Sequence, residues 1–213
     1  MPGSSSLSAI VRSLSPDLKS VGFKRFGTRF NRESEEGLIH IVSFQGSMGG
    51  DRFTVNLGVY VVEIDKLLAD WWGRAGKKGV PGRDTAVPEQ VCWLRARLGR
   101  VGADGSDLWW SYDDPDAAAQ SVRARLDDLE AFFAKARTRS DLLYWWRDPA
   151  HGPAPWRTEP GTPLGFALLL RDAEHVADAR DAVKRVCADT LGMPFHHMVA
   201  VIAEDLGFEC DDS

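Results

Sequence analysis

Little in this sequence advertises chemistry. Only three of its 213 residues are cysteine, Cys92, Cys187 and Cys210, with no C-x-x-C spacing. An odd, scattered set argues against a disulfide framework and fits a reducing cytoplasm. The longest uninterrupted apolar run, Phe166 to Leu170, falls far short of the ~20 residues that a membrane-crossing helix needs. The opening MPGSSSLSAI lacks a basic segment followed by an apolar one, so the expectation is a soluble, cytoplasmic chain that is not exported.

Catalytic signatures are equally scarce. G-x-S-x-G, H-E-x-x-H and a paired Cys/His set do not occur, and the glycine-rich GSMGGD at 46–51 has neither the Lys-Ser/Thr nor the strand-to-helix setting of a phosphate loop. His196 and His197 invite comparison with a metal site completed by Glu204 or Cys187, but neighbours on a helix point ~100° apart and the i, i+4 pair is missing. His40 reads as a packed or exposed strand residue rather than a base. No metal, no cofactor and no catalytic residue is expected.

What the sequence does contain is a core and a sheet. Hydrophobic residues make up 44% of the chain, enough for one large domain or a domain with a helical addition. Between Leu38 and Val62 two β-prone segments flank a glycine-rich turn. In the second, Phe53, Val55, Leu57, Val59 and Val61 alternate with Thr54, Asn56, Gly58 and Tyr60, the period-two pattern of a strand with one buried face. An antiparallel hairpin is the shortest connection.

Around this hairpin the expected elements are a helix from about Ser5 to Val21, kinked or restarted at Ser15-Pro16-Asp17 and stopped by Gly22-Phe23. A first strand through Phe23, Phe26 and Phe30 follows. After the hairpin come a short helix at 64–72, a loop at 73–88, a fourth strand from Cys92 to Gly99 and a fifth from Leu108 to Tyr112. Asp114-Pro115-Asp116 opens a helix with the stripe Val122, Leu126, Leu129 and Phe133, and a short helix spans Asp141 to Arg147. Three more helices are expected at Pro163 to Leu170, Ala173 to Leu191 and Phe195 to Leu206. The fold class is therefore α+β: an antiparallel sheet of about five strands packed by an N-terminal helix and a C-terminal group of helices. Residues 1–147 form the sheet domain, 148–163 a proline-rich linker, and 164–213 a helical extension packed on the first domain.

The segments VSFQGSMGGDRFTVNLGVY at 42–60, RARLGRV at 95–101 and DLWW at 107–110, with Gly22-Phe23 before them, resemble the bacterial family known as domain of unknown function 4304. The resemblance covers roughly residues 7–145. It implies an α+β domain with a meandering sheet and packed helices, and brings no established activity, substrate or catalytic residue. Members look like small domains found near toxin and defence genes, which implies an immunity, antitoxin-like or interaction role.

On the Thr54-Asn56-Gly58-Tyr60 side of the hairpin a binding set can collect: Asn56 of the hairpin strand itself, Gln45 and Ser47 from the turn, Arg95 and Arg97 from the fourth strand, and Trp109 or Trp110 from the fifth, with Trp110 taken as the candidate. Guanidinium forks and amides on one face hold a carboxylate, a phosphate or an acidic loop. The bland alternative is a solvated or helix-covered face joined by cross-strand hydrogen bonds. The three tryptophan pairs, 71–72, 109–110 and 145–146, serve either stacking or core packing; on a strand only one of a pair faces the site. Net charge is −5 overall, yet residues 1–100 hold 15 basic and 10 acidic residues and the remainder 11 and 21. The basic half steers toward an anionic partner. Expected, then, is a non-catalytic binding module whose sheet face and 73–88 loop meet a protein partner, or alternatively a binder of, or enzyme on, a small anionic ligand through Gln45, Asn56, Arg95 and Arg97. An acidic chain without a basic stripe is poorly suited to nucleic acid.

Overall fold

The computed structural model describes residues 2–64, 87, 92, 94–101, 107–147, 162–193 and 196–210. The expected helix beyond residue 64, the 73–88 loop apart from Val87, the 102–105 turn and the 148–161 part of the proline-rich segment lie outside the described residues, as do Trp71 and Trp72 and the side chains of Trp145 and Trp146.

The antiparallel hairpin forms as the alternation requires: β3, Leu38–Gly46, pairs with β4, Arg52–Val61, in a register that runs from Leu38↔Val61 to Gly46↔Phe53. Before it stand β1, Lys24–Phe26, and β2, Arg29–Glu33, where a single strand is expected. The difference is Gly27, whose φ of +65° lets the chain reverse between Phe26 and Arg29. β5, Leu94–Arg97, and the two-residue β6, Trp110–Ser111, pair with successive parts of the same edge of β4. Sheet order is thus β1-β2-β3-β4-β5 with β6 also on β4, six strands among the described residues where about five are expected. β5 stops short of Gly99 because the chain turns into the short helix α2, Leu98–Val101.

Helix α1, Pro2–Ser20, runs through Pro16 as one element instead of restarting there. Pro16 cannot donate to the carbonyl of Arg12, but Arg12 is exposed to water, and Ile10, Val11, Leu14 and Leu18 are buried on the opposite side. The helix stops as the Gly22-Phe23 pair implies. Gly22, at φ +92°, donates to the Lys19 carbonyl and Phe23 donates to that of Leu18, both at 3.0 Å.

The stripe Val122 to Phe133 lies on two helices, α3, Pro115–Arg123, and α4, Leu126–Ala134. Asp114 caps the first by accepting from the Ala117 amide at 2.9 Å. Helix α5, Arg139–Arg147, begins two residues before Asp141 because Thr138 and Asp141 cap each other: the Thr138 hydroxyl accepts from the Asp141 amide at 3.1 Å and the Asp141 carboxylate from the Thr138 amide at 2.9 Å. On the inner face of the sheet, Phe30, Val42, Phe44, Phe53, Val55, Leu57 and Val59 pack against α1, α3 and α4 in one buried cluster.

The C-terminal helices are α6, Thr162–Asp172, α7, Val176–Thr190, and α8, His196–Asp205. Every residue of α6 from Leu164 to Leu170 whose side chain is described is buried, as befits a helix apolar all round and placed between others. These helices share the cluster of the sheet's inner face. Arg139 ties the junction, its guanidinium 2.7 Å from Glu63 after β4 and 4.0 Å from Asp172 at the end of α6.

Two expectations are corrected. Cys187 of α7 and Cys210 form a disulfide, with Cα atoms 5.6 Å apart, and Cys92 alone is free. Counting cysteines missed the bond because a fold feature creates it: the stop at Gly207 buries Phe208 and returns the chain onto α7. The second correction concerns β4, which is buried on both faces. Thr54 is 1%, Asn56 3% and Tyr60 0% exposed, so the second face is not a solvated polar surface. Val87 and Cys92 pack there with Ile39, Ile41 and Tyr60.

Candidate functional site

Alternation puts Thr54, Asn56, Gly58 and Tyr60 on the face of β4 away from the main core, and antiparallel pairing places Arg97 directly opposite Asn56, Arg95 opposite Gly58, and Gln45 opposite Thr54. The expected cluster of amides and guanidiniums therefore shares one side of the sheet. Asn56 is buried, and its amide donates to the side-chain carbonyl of the exposed Gln45 at 2.6 Å. Thr54 donates to the Leu108 carbonyl at 3.0 Å, which fastens the segment before β6 to the strand.

The two arginines differ. Arg97 pairs with Asp107, which also accepts from Arg100 Nε at 2.5 Å. Burial draws the Arg97 guanidinium below its usual pKa, and the charge and hydrogen bond of Asp107 counter that. Burial would raise the carboxyl of Asp107, but bonds and charge from Arg100 and Arg97 outweigh it and hold the group below the usual carboxylate range. Arg95 is half-buried, its Nε lies out of reach of water, and that atom meets no acceptor. A buried donor of this kind calls for a partner.

Trp110 does not belong to this face. It is buried on the opposite side, stacked 5.5 Å from Phe53, with its indole N–H donating to Ser121 at 2.9 Å. Its neighbour Trp109 takes the site side: the guanidiniums of Arg52 and Arg97 sit 5.2 and 5.1 Å from the Trp109 ring centre. Ser47 is engaged in the turn, its hydroxyl donating to Asp51 at 2.7 Å and its amide to the Arg52 carbonyl at 2.8 Å. Arg52 is the member that motif reading passed over; its position as the first residue of β4, facing the same way as Thr54, was the available signal.

A separate open cleft of about 460 Å³ is lined by Arg32, Glu33, Ser34, His40, Glu130, Phe133, Ala134 and Arg137. Its chemistry is largely turned inward. Arg32 donates to both carboxylate oxygens of Glu130 at 2.9 Å and to the Val21 carbonyl at 2.9 Å, while its plane lies 4.4 Å from the Phe23 ring. His40 stacks on Phe133 at 4.4 Å. Its Nε2 stands 2.7 Å from the Ala136 carbonyl, which can only accept, so Nε2 carries the proton and Nδ1 receives Arg32 at 3.3 Å. Burial pushes His40 down to about 4, with the Ala136 bond opposing and the Arg32 charge adding to the shift. The arrangement locks β2, β3 and α4 together. His196 sits 3.1 Å from the Thr190 hydroxyl, and Cys187 is in the disulfide rather than beside it as a thiolate.

A family model described as Domain of unknown function (DUF4304) matches residues 14–148, from the middle of α1 to the end of α5. No curated protein and no solved structure matches the chain. Among the described residues no helix is long and apolar enough to cross a membrane.

Proposed function

We propose a non-catalytic binding role for this chain, which belongs to the DUF4304 family of domains of unknown function: its second sheet face takes an anionic surface of a protein partner. The observation that carries the reading is Arg95, whose buried Nε has no acceptor, beside the Arg97, Arg52 and Trp109 stack. A carboxylate docked against the solvent-facing part of this half-buried side chain would receive a charge-assisted hydrogen bond in a partly desolvated setting, where such bonds are strong. Arg97, already engaged by Asp107, orients the surface more than it offers a free fork.

Binding without turnover is what an immunity or antitoxin-like protein does, and the partner on this reading is an acidic bacterial protein. Cytoplasmic placement no longer follows from the cysteines, two of which are bonded, and the proposal does not depend on it. Affinity capture from the source cells with wild type, Arg95→Gln and Arg95→Glu tests it. Acidic proteins retained by wild type and lost from the glutamate variant are expected; identical sets would remove the face from consideration. Arg95 serves better than Arg97 here, because a glutamate at 97 would also repel Asp107.

A further inference from the structure

The register of the sheet carries the arginine face well beyond β5. Two neighbouring rows of directly paired residues cross its second side. One runs Arg29, Ser43, Asn56, Arg97 from β2 to β5, and the other Lys24, Asn31, Ile41, Gly58, Arg95 from β1 to β5. Direct antiparallel partners share a face, so each row begins and ends on a cation and is uncharged between. The floor between these two borders is shut: Asn31, Ile41, Ser43 and Asn56 are buried, whereas Lys24 is exposed and Arg29 and Arg95 are half-buried. Whatever binds must therefore meet each border where it stands.

Arg29 resembles Arg95 in being without an anion. Among the described residues none accepts a hydrogen bond from its guanidinium or forms an ion pair with it. The carboxylate that reaches this band, Asp107, is held by Arg97 and Arg100. Glu33 lies past Asn31 at the end of β2, while Asp51 and Asp113 lie past Arg52 beside the β3–β4 turn, away from both arginines. With ~4.8 Å between strands and ~3.3 Å per residue along them, Arg29 and Arg95 stand about 16 Å apart, three strand spacings across and one two-residue step along.

We propose that Arg29 is the second anchor of this face, and that the partner is a folded acidic protein presenting two separate carboxylates roughly 16 Å apart, one to each arginine. The inference rests on the reading that the Arg95 face binds, and deepens it by naming what that partner must present. A lone carboxylate or phosphate serves one border and does not span the closed floor. Two charges fixed on a rigid surface serve both at once.

The probe is the water-soluble carbodiimide EDC, which joins an amine to a carboxylate in contact with it. It is applied to extracts of source cells carrying Arg29→Lys, Arg95→Lys or, as control, Arg180→Lys at an exposed position of α7. Expected are adducts from positions 29 and 95 to two different Asp or Glu residues of one protein, lying roughly 16 Å apart in it, and none from 180. Affinities of that recovered protein then separate the anchors. Arg29→Gln and Arg95→Gln each weaken binding about tenfold and together about a hundredfold, because contacts this far apart add in free energy. A double variant that binds as well as the poorer single one means that the arginines share one anion, and overturns the two-carboxylate partner. Arg29→Gln within twofold of wild type, or an adduct from 95 with none from 29, also overturns it and leaves the Arg95 face standing. Absence of adducts at both positions overturns the two together.

Discussion

Replacing His40 by glutamine and following stability against pH isolates one buried group. In the folded chain His40 is neutral, donating through Nε2 to Ala136 and accepting at Nδ1 from Arg32. Protonation would aim a second N–H at a guanidinium already fixed by Glu130, and would place a charge where His40 is only 2% exposed. Its pKa is lowered from 6.5 to about 4, so the folded state binds fewer protons than the unfolded one. The stabilisation is therefore complete above pH ~6.5, declines as pH falls, and is lost once pH passes below ~4. A separation of about 2.5 units corresponds to about 3 kcal/mol in all, of which about 2 kcal/mol has gone by pH 5. Urea unfolding of wild type and His40→Gln at pH 7.5 and 5.0 measures this, because every other titrating group contributes to both proteins alike. Glutamine offers an amide donor and acceptor but does not titrate. Wild type should lose about 2 kcal/mol more than the variant over that interval; equal losses, or an NMR titration of His40 centred near 6.5, would refute the lock.

Other outcomes follow from the same coordinates. Removing the Cys187–Cys210 bond with alanines, across a separation of 23 residues, should cost about 3.4 kcal/mol by chain entropy; calorimetry showing under about 1 kcal/mol would count against a stabilising tether. Gly22→Ala forces a side chain into φ +92° within 3.4 Å of Arg32 and should lower stability in chemical denaturation by about 1–2 kcal/mol. Trp110→Phe, on the core side, should reduce stability by about 2 kcal/mol with partner capture intact, while Trp109→Ala should do the reverse; loss of capture in Trp110→Phe alone would restore Trp110 to the site.

How much of this could be read in the chain depends on how local each cause is. The hairpin, the Asp114 cap and the stop at Gly22 rest on alternation and on single residues, and all are found where the letters place them. The end of α6 escaped because Glu174, not glycine, takes the left-handed position at φ 64°. Asn56 and Arg97 meet because period-two alternation and a short register survive translation into three dimensions. Trp110 was misassigned because adjacent strand residues face opposite ways, and letters alone do not say which faces the core. The Arg32–Glu130 pair and the disulfide join residues 98 and 23 positions apart, a distance that no local pattern spans. Burial of both faces of β4 was likewise invisible, since Thr54 and Asn56 look solvated until Leu108 and Gln45 are seen to satisfy them.

Equilibrium affinity of the recovered partner for wild type and Arg95→Glu bears most directly on the claim that this face binds an anionic protein surface. With unfolding curves of the two proteins superimposed, a loss of at least about tenfold is predicted, since one charge-assisted contact becomes a repulsion. Affinities within twofold of each other would contradict it.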